Sequence, residues 1–209
     1  TVVPNWSDGP AVVPRTTANP LREKWQLEGK FVVGYSGNLG RAHEIETLLG
    51  AIRQLSSDTS VVFLFIGGGA LLDELKTRLG EPGMSNCLFQ PYQSRQQLPL
   101  SLTLPDVHLV ILKPELEGLI VPSKIYGVMS AGKPMLYIGD KEGEVASLVL
   151  EHGIGEVVAE GDSEALVSQI LKMKETPESL VVMGDASRRL FDQHYSLEMS
   201  LAKLEAALC

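Results

Sequence analysis

The sequence predicts an α/β domain built on a doubly wound parallel β-sheet (Rossmann-like). Short apolar runs with strand composition alternate with amphipathic helical patterns about six times. Runs such as Val61–Ile66 (VVFLFI) are apolar throughout, which is typical of parallel strands covered by helices on both faces. The 209 residues are enough for one such domain to bury a full core.

The predicted elements follow one another from residue 21 to residue 209. Strands are predicted at Phe31–Ser36, Val61–Ile66, Cys87–Pro91, His108–Leu112, Pro134–Ile138 and Glu156–Ala159. Helices are predicted from apolar stripes at Leu21–Glu28, Glu44–Leu55, Ala70–Leu79, Lys124–Ala131, Glu144–His152, Ser163–Met173, Pro177–His194 and Leu197–Ala207. Residues 1–20 are rich in Pro, Asn, Asp and Thr, which break helices and strands, so we expect a linker there.

The composition excludes several classes of function. The 26 acidic side chains outnumber the 18 basic ones, so a nucleic-acid partner is not expected. No apolar run approaches the ~18 residues of a membrane span, and we expect no signal peptide. Cys87 and Cys209 provide neither a disulfide framework nor a cysteine metal site, and they fit a reducing, cytoplasmic location. We expect no metal and no cofactor.

The loop after the first predicted strand has the composition of a phosphate site. Ligands of doubly wound sheets bind beyond the carboxyl ends of the strands. Glycines allow a ligand to approach the backbone, the next helix offers N–H groups to an anion, and Arg41 supplies a guanidinium. The alternative is a plain glycine turn beside a solvated arginine. The candidate diphosphate contacts are Gly37, Asn38, Leu39, Gly40, Arg41 and, at the helix start, His43.

A second group of polar residues follows the fourth predicted strand. Glu115 and Glu117 precede a glycine turn, and Ser123 is predicted to cap the next helix. Lys124 would then lie in a first helical turn, where a cation is unfavourable to the helix dipole. An anionic ligand nearby would explain this lysine, and a solvated side chain is the alternative.

The glycine spacing of residues 34–40 also resembles the nucleotide loop of extended short-chain dehydrogenases. Tyr137 and Lys141 have the spacing that their catalysis needs, although Gly139 and Asp140 between them disfavour a shared helix. Glycines follow the second strand where a ribose-binding acid would lie. We therefore keep an NAD-dependent nucleotide-sugar epimerase or dehydrogenase only as an alternative.

Three motifs in order carry a different resemblance: the loop of residues 34–41, Glu115–Leu119, and Ser130–Pro134 (SAGKP). They resemble the carboxyl-terminal domain of retaining GT-B glycosyltransferases of the glycogen-synthase-like family four. The segments SGNLGRAHEIETLL and EGLIVPSKIYG are most similar to transferases of bacterial exopolysaccharide, colanic acid and O-antigen fucosamine. Pro4–Asp8 (PNWSD) resembles the segment that leads into this domain in that subgroup.

This resemblance implies a domain that binds a nucleotide-diphosphate sugar, most often a UDP-sugar, for hexosyl transfer. It also implies an amino-terminal acceptor domain before Thr1, so the isolated chain is expected to transfer little or no sugar. A lipid-linked saccharide is a candidate acceptor, with the whole enzyme cytoplasmic or peripheral at the inner face of the membrane. A non-catalytic sugar-nucleotide-binding domain stays open as a further alternative.

The resemblance also assigns roles to residues. The diphosphate would meet the loop of residues 37–41, Lys124 and Ser123, whereas Glu115 or Glu117 would hold hydroxyls of the donor sugar in the turn with Gly118 and Leu119. The base would lie near Gln90, Pro91, Tyr92 and Gln93. The family has a second glutamate for the ribose, and Gly127 occupies that position here. For Tyr126 and Glu144 we expect packing or surface roles.

Overall fold

The computed structural model of the chain describes residues 12, 14, 18–83 and 85–208. The predicted linker therefore lies mostly outside the described residues, as do the Pro4–Asp8 motif and Cys209. Among the described residues, no helix combines the length and the apolar composition needed to cross a bilayer.

Six strands of the described part of the chain form one sheet in the order β3-β2-β1-β4-β5-β6, and every neighbouring pair is parallel. Their bounds are β1 Phe31–Asn38, β2 Val61–Gly68, β3 Cys87–Gln90, β4 Val107–Ile111, β5 Met135–Gly139 and β6 Gly155–Ala159. The predicted fold class is confirmed. The predicted strand ends differ from these by one or two residues, because apolar composition locates a strand better than it locates its ends.

The helices that the structure describes are α1 Pro20–Lys24, α2 Glu46–Gln54, α3 Ala70–Gly83, α4 Leu98–Thr103, α5 Lys124–Ser130, α6 Glu144–Glu151, α7 Ser163–Glu175, α8 Pro177–His194 and α9 Leu197–Leu208. The sequence pattern did not predict α4, because LPLSLT has no polar face and carries a proline in its first turn. The predicted end of α1 was also wrong. Gln26 has a φ of +56°, which a helix cannot accommodate, so α1 stops at Lys24.

Helices cover both faces of the sheet, as the apolar strands predicted. β4 shows this directly, since Leu109 and Ile111 belong to a core with α2, α3 and α7, whereas Val110 and the next residue after the strand, Leu112, belong to a second core with α5, α6 and α8. Alternate side chains of one strand thus enter opposite cores. The chain order reverses between β1 and β4, so the loops after these two strands diverge and leave a crevice at their carboxyl ends.

The ends of β1 and β2 approach each other closely at this crevice. Gly37 pairs with Gly67, and Asn38 pairs with Gly68. Gly67 has a φ of +131°, and a Cβ atom there would overlap the carbonyl oxygen of Gly37. Both the backbone conformation and the close approach therefore require glycine at position 67.

We predict that Gly67→Ala lowers the free energy of unfolding by roughly 1–3 kcal/mol, the range for a backbone held in a sparsely populated region. In a chain of this size, each kcal/mol corresponds to a fall in Tm of about 2–4 °C. Gly68→Ala is the matched control, because its Cβ would make only an ordinary contact with Tyr92 at 3.5 Å. Thermal unfolding measures both variants. Equal Tm values for the two would contradict the account of this strand pair.

Candidate functional site

A cavity of about 490 Å³ opens in the crevice at the carboxyl ends of β1 and β4. Apolar side chains such as Leu98, Leu102 and Ile111 form one wall. The polar lining includes seven of the residues singled out from the sequence: Gly37, Asn38, His43, Tyr92, Gln93, Ser123 and Lys124. The volume lies within the range of small-molecule sites. The structure therefore brings the loops after β1, β3 and β4 and the start of α5 together around one cavity.

Lys124 carries an ammonium that has no carboxylate partner among the described residues. Its Nζ lies 3.3 Å from Nε2 of His43 and 3.6 Å from the centroid of the Tyr35 ring. Burial disfavours the charged form and lowers the pKa of Lys124 to about 7. An anion entering the cavity would meet a cation that nothing else neutralises.

His43 connects Lys124 with the loop after β1. Its Nδ1 lies 3.0 Å from the carbonyl oxygen of Gly40, and its Nε2 lies 3.1 Å from the hydroxyl of Tyr35. Burial first, and the charge of Lys124 second, lower the pKa of His43 to about 4. The imidazole is therefore neutral at pH 7. From the hydrogen-bond network we assign the tautomer in which Nδ1–H donates to the carbonyl of Gly40. The free Nε2 then accepts a hydrogen bond from Lys124.

Some of the N–H groups that the sequence offered as a diphosphate cradle already have acceptors within the chain. The N–H of Leu39 donates to the carbonyl of Gly68, the N–H of His43 donates to the carbonyl of Gly40, and the Leu39 side chain is fully buried. The N–H of Thr47 donates to the Glu44 carboxylate, at 3.0 Å for its nearer oxygen. Glu44 thus satisfies one of the N–H groups at the start of α2.

Arg41 lies in a different place from Lys124. It lines a second cavity of about 580 Å³ together with Lys113 and four glutamates: Glu44, Glu46, Glu74 and Glu160. Burial, followed by the charges of Glu44 and Glu115, raises the pKa of Glu160. His43 borders both cavities, so the two predicted cations stand on either side of it.

The two candidate sugar carboxylates differ in their surroundings. Glu117 accepts hydrogen bonds from the Tyr137 hydroxyl at 3.1 Å and from the Val145 N–H at 3.3 Å, at the start of α6. Glu115 is exposed. Gly118 and Leu119 form an exposed turn beyond them, and Gly118 has a φ of +74°. Glu117 is therefore bound to the protein, whereas the carboxylate of Glu115 is open to solvent.

Most of the remaining candidates line the first cavity. Ser123 precedes α5 but makes no capping hydrogen bond, because its backbone is helical rather than extended, so the predicted cap is wrong. Tyr92 is 62% exposed, and Gln93 donates from its side chain to the carbonyl of Pro91 at 2.7 Å. Gly127 lines the cavity wall. Gln90 ends β3 and is partly exposed.

Two weaker candidates have the packing and surface roles that we expected. Tyr126 is buried against Tyr195, with ring centroids 5.2 Å apart, and Glu144 is exposed at the start of α6. Tyr137 lies in β5 and Lys141 in the turn after it, so they share no helix. Residues 18–83 and 85–208 contain no group of His, Cys, Asp and Glu side chains arranged to hold a metal ion.

Tyr35 was not predicted as a site residue, yet it lies under the polar end of the cavity. Its ring is 1% exposed, and its hydroxyl donates to the carbonyl of Asn38 at 2.8 Å. A tyrosine inside a strand that is otherwise apolar was the available signal, since a buried hydroxyl needs a partner.

The family model for Glycosyl transferases group 1 matches residues 18–190. The chain belongs to this family. It is 36% identical over 99% of its length to the inferred glycosyltransferase WbjE of Pseudomonas aeruginosa. It is 28% identical over 91% of its length to WcaI of Escherichia coli K12, an inferred glycosyltransferase of colanic acid biosynthesis. It covers 51% and 47% of these two proteins, so the chain spans about half the length of each relative.

Solved structures show the same fold. One match is the carboxyl-terminal domain of a group 1 glycosyltransferase, LpcC of Francisella tularensis. The match covers 91% of this chain and 99% of that domain, with a TM-score of 0.72 and 14% identity. The chain superposes in full on 56% of HepE of Anabaena, solved with UDP and glucose, with a TM-score of 0.80 and 18% identity. The predicted GT-B half is confirmed, and the dehydrogenase alternative finds no support.

We predict that Glu117→Ala lowers the free energy of unfolding by roughly 1–3 kcal/mol, because the Tyr137 hydroxyl and the Val145 N–H lose their acceptor. Glu115→Ala is the control, and an exposed side chain of this kind changes stability by about 0.5 kcal/mol or less. Urea unfolding followed by circular dichroism measures both. A Glu117→Ala variant as stable as Glu115→Ala would contradict the anchoring role of Glu117.

Proposed function

We propose that this domain binds the nucleotide-diphosphate-sugar donor of a glycosyltransferase that synthesises a bacterial surface polysaccharide. The observation that carries the proposal is the Lys124 ammonium, which is partly buried in the cavity without a carboxylate partner among the described residues. Burying a cation without its counterion costs free energy, and a ligand that brings a negative charge removes this cost. The diphosphate of the donor is such a ligand.

The same cation has a use in the reaction. Sugar transfer leaves negative charge on the departing diphosphate, and a fixed cation beside it stabilises the transition state. Lys124 is the residue that we assign to this role. Arg41 stands beyond His43 in the second cavity, where glutamates surround it, so we expect it to contribute less.

The shape of the cavity supports a nucleotide rather than a lone phosphate. Its apolar wall at Leu98, Leu102 and Ile111 would contact the base and ribose, and Tyr92 stands at the rim where a base could stack. UDP is the first ligand to test. HepE, which has the same fold, was solved with UDP and with UDP-glucose.

We assign the donor sugar to Glu115 rather than to Glu117. The Glu117 carboxylate already accepts two hydrogen bonds from the protein, whereas that of Glu115 is exposed in the loop after β4. A UDP-sugar that binds to Glu115→Gln as tightly as to the unaltered chain would contradict this assignment.

The whole protein is proposed to place its acceptor site in a second domain. Both relatives are about twice as long as this chain, and WcaI is linked by its name to colanic acid biosynthesis. A lipid-linked saccharide remains our candidate acceptor. A sugar-nucleotide-binding domain without transfer activity would bind the same ligands and would differ only in the absence of transfer by the whole protein.

We predict that Lys124→Ala weakens UDP binding by about 1–3 kcal/mol, or roughly 5- to 150-fold, because a charged hydrogen bond to the diphosphate is lost. Isothermal titration calorimetry at pH 6.5 measures the affinity. UMP is the comparison ligand, since it lacks the second phosphate, and the preference for UDP over UMP should shrink in the variant.

The matched control is Lys172→Ala. Lys172 lies on α7, pairs with Glu156, and lines neither cavity, so its loss should leave UDP affinity unchanged. Failure of the unaltered chain to bind UDP, GDP or their sugars would overturn the proposed function. Normal UDP binding by Lys124→Ala would overturn the placement of the diphosphate.

A further inference from the structure

Tyr35 lies beneath the polar end of the first cavity and belongs to β1. Its ring is 1% exposed and packs against Phe65 with ring centroids 6.4 Å apart. Its hydroxyl donates to the carbonyl of Asn38 at 2.8 Å. The side chain is therefore fixed at both ends, by the core and by the backbone of the loop.

Two residues of the candidate diphosphate site contact the ring of Tyr35. The Lys124 ammonium stands over its face at 3.6 Å from the centroid. The imidazole of His43 meets it edge-on, with centroids 5.8 Å apart and planes at 83°, and its Nε2 lies 3.1 Å from the hydroxyl. One buried side chain thus sets the positions of both polar groups.

We infer that Tyr35 is a positioning residue, whose ring holds the Lys124 ammonium and favours its charged form while the hydroxyl fixes the loop at Asn38. This inference rests on the proposed function, since it concerns the same diphosphate site. Tyr35 is too buried to touch a ligand itself. It would act only through Lys124 and the loop after β1.

The charge of Lys124 depends on the ring of Tyr35 because the nearest titratable groups are neutral. The titratable side chains on this side of the cavity are Tyr35 from β1, His43 from the loop and His108 from β4, with Tyr92 at the rim and Lys133 beyond His108. Burial lowers the pKa of His43 and His108 to about 4 and raises that of Tyr35. None of these three is charged at pH 7.

With no anion beside it, the ammonium is stabilised by the π face of Tyr35 and the Nε2 of His43. A cation over an aromatic face is attracted to its negative quadrupole, most strongly where water is excluded. Burial opposes this and brings the pKa of Lys124 to about 7. The balance between ring and burial decides how much of Lys124 is charged at neutral pH.

An anionic diphosphate raises the pKa of Lys124, so the protein takes up a proton as the ligand binds. The affinity for the diphosphate is then highest at pH values below the pKa of Lys124 in the free protein, which is about 7. Above that pKa the affinity falls by up to tenfold per pH unit. The second ionisation of a phosphate lies near pH 6, so affinities are best compared between about pH 6.5 and 8.5.

The test compares two replacements of Tyr35 that keep its size. Tyr35→Phe keeps the ring face and removes the hydroxyl, whereas pentafluorophenylalanine at the same position also removes the negative face of the ring. Calorimetry with UDP is run across the pH range on the 209-residue chain. In parallel, NMR of ¹³C-labelled lysine follows the titration of Lys124 without ligand, with its signal assigned through Lys124→Ala.

We expect ring fluorination to move the Lys124 titration to lower pH than in Tyr35→Phe. UDP affinity should fall by about tenfold at pH 8 and by about threefold at pH 6.5, where a larger fraction of Lys124 is charged. A purely structural role for the ring would weaken binding equally at every pH.

An unchanged Lys124 titration on fluorination, or a loss of affinity that is the same at all pH values, overturns the inference. The ligand-free titration decides between these outcomes even if the unaltered chain fails to bind UDP. That failure would overturn the proposed function instead, so the two results are distinguishable.

Discussion

The central position of β1, paired in parallel with both β2 and β4, governs the site. Chain order reverses at the β1–β4 pair, so the loops after these strands diverge and leave the cavity between them. The same strand carries Tyr35, which joins the core below to Lys124 and His43 above. Because Tyr35 is buried, its hydroxyl needs a partner within the protein, and the loop that supplies this partner forms the floor of the site.

The fold was predictable because parallel strands covered on both faces are apolar along their whole length, as Val61–Ile66 shows. The candidate site was predictable only in part. Sequence placed Lys124 and Arg41 beyond the correct strands, but it could not show that Glu44 occupies the start of α2 and that Arg41 faces other glutamates. Such facts depend on side-chain partners. Glu117 meets Tyr137 and Val145 across twenty or more residues, and no local pattern reveals that contact.

The charged side chains are distributed differently around the two cavities. The net charge of −8 would repel a diphosphate, so its site must be local. Four glutamates line the second cavity around Arg41, whereas no carboxylate of the described residues lines the first cavity around Lys124. In our proposal this separation lets one partly buried ammonium hold the leaving diphosphate in an acidic protein.

A crystal structure of the chain with UDP tests the central claim most directly. We expect a β-phosphate oxygen within about 2.7–2.9 Å of the Lys124 Nζ, the distance of a charge-assisted hydrogen bond. The base should lie along the apolar wall near Tyr92. UDP bound with its diphosphate beside Arg41 in the second cavity, or with Lys124 still in contact only with Tyr35 and His43, would contradict the claim.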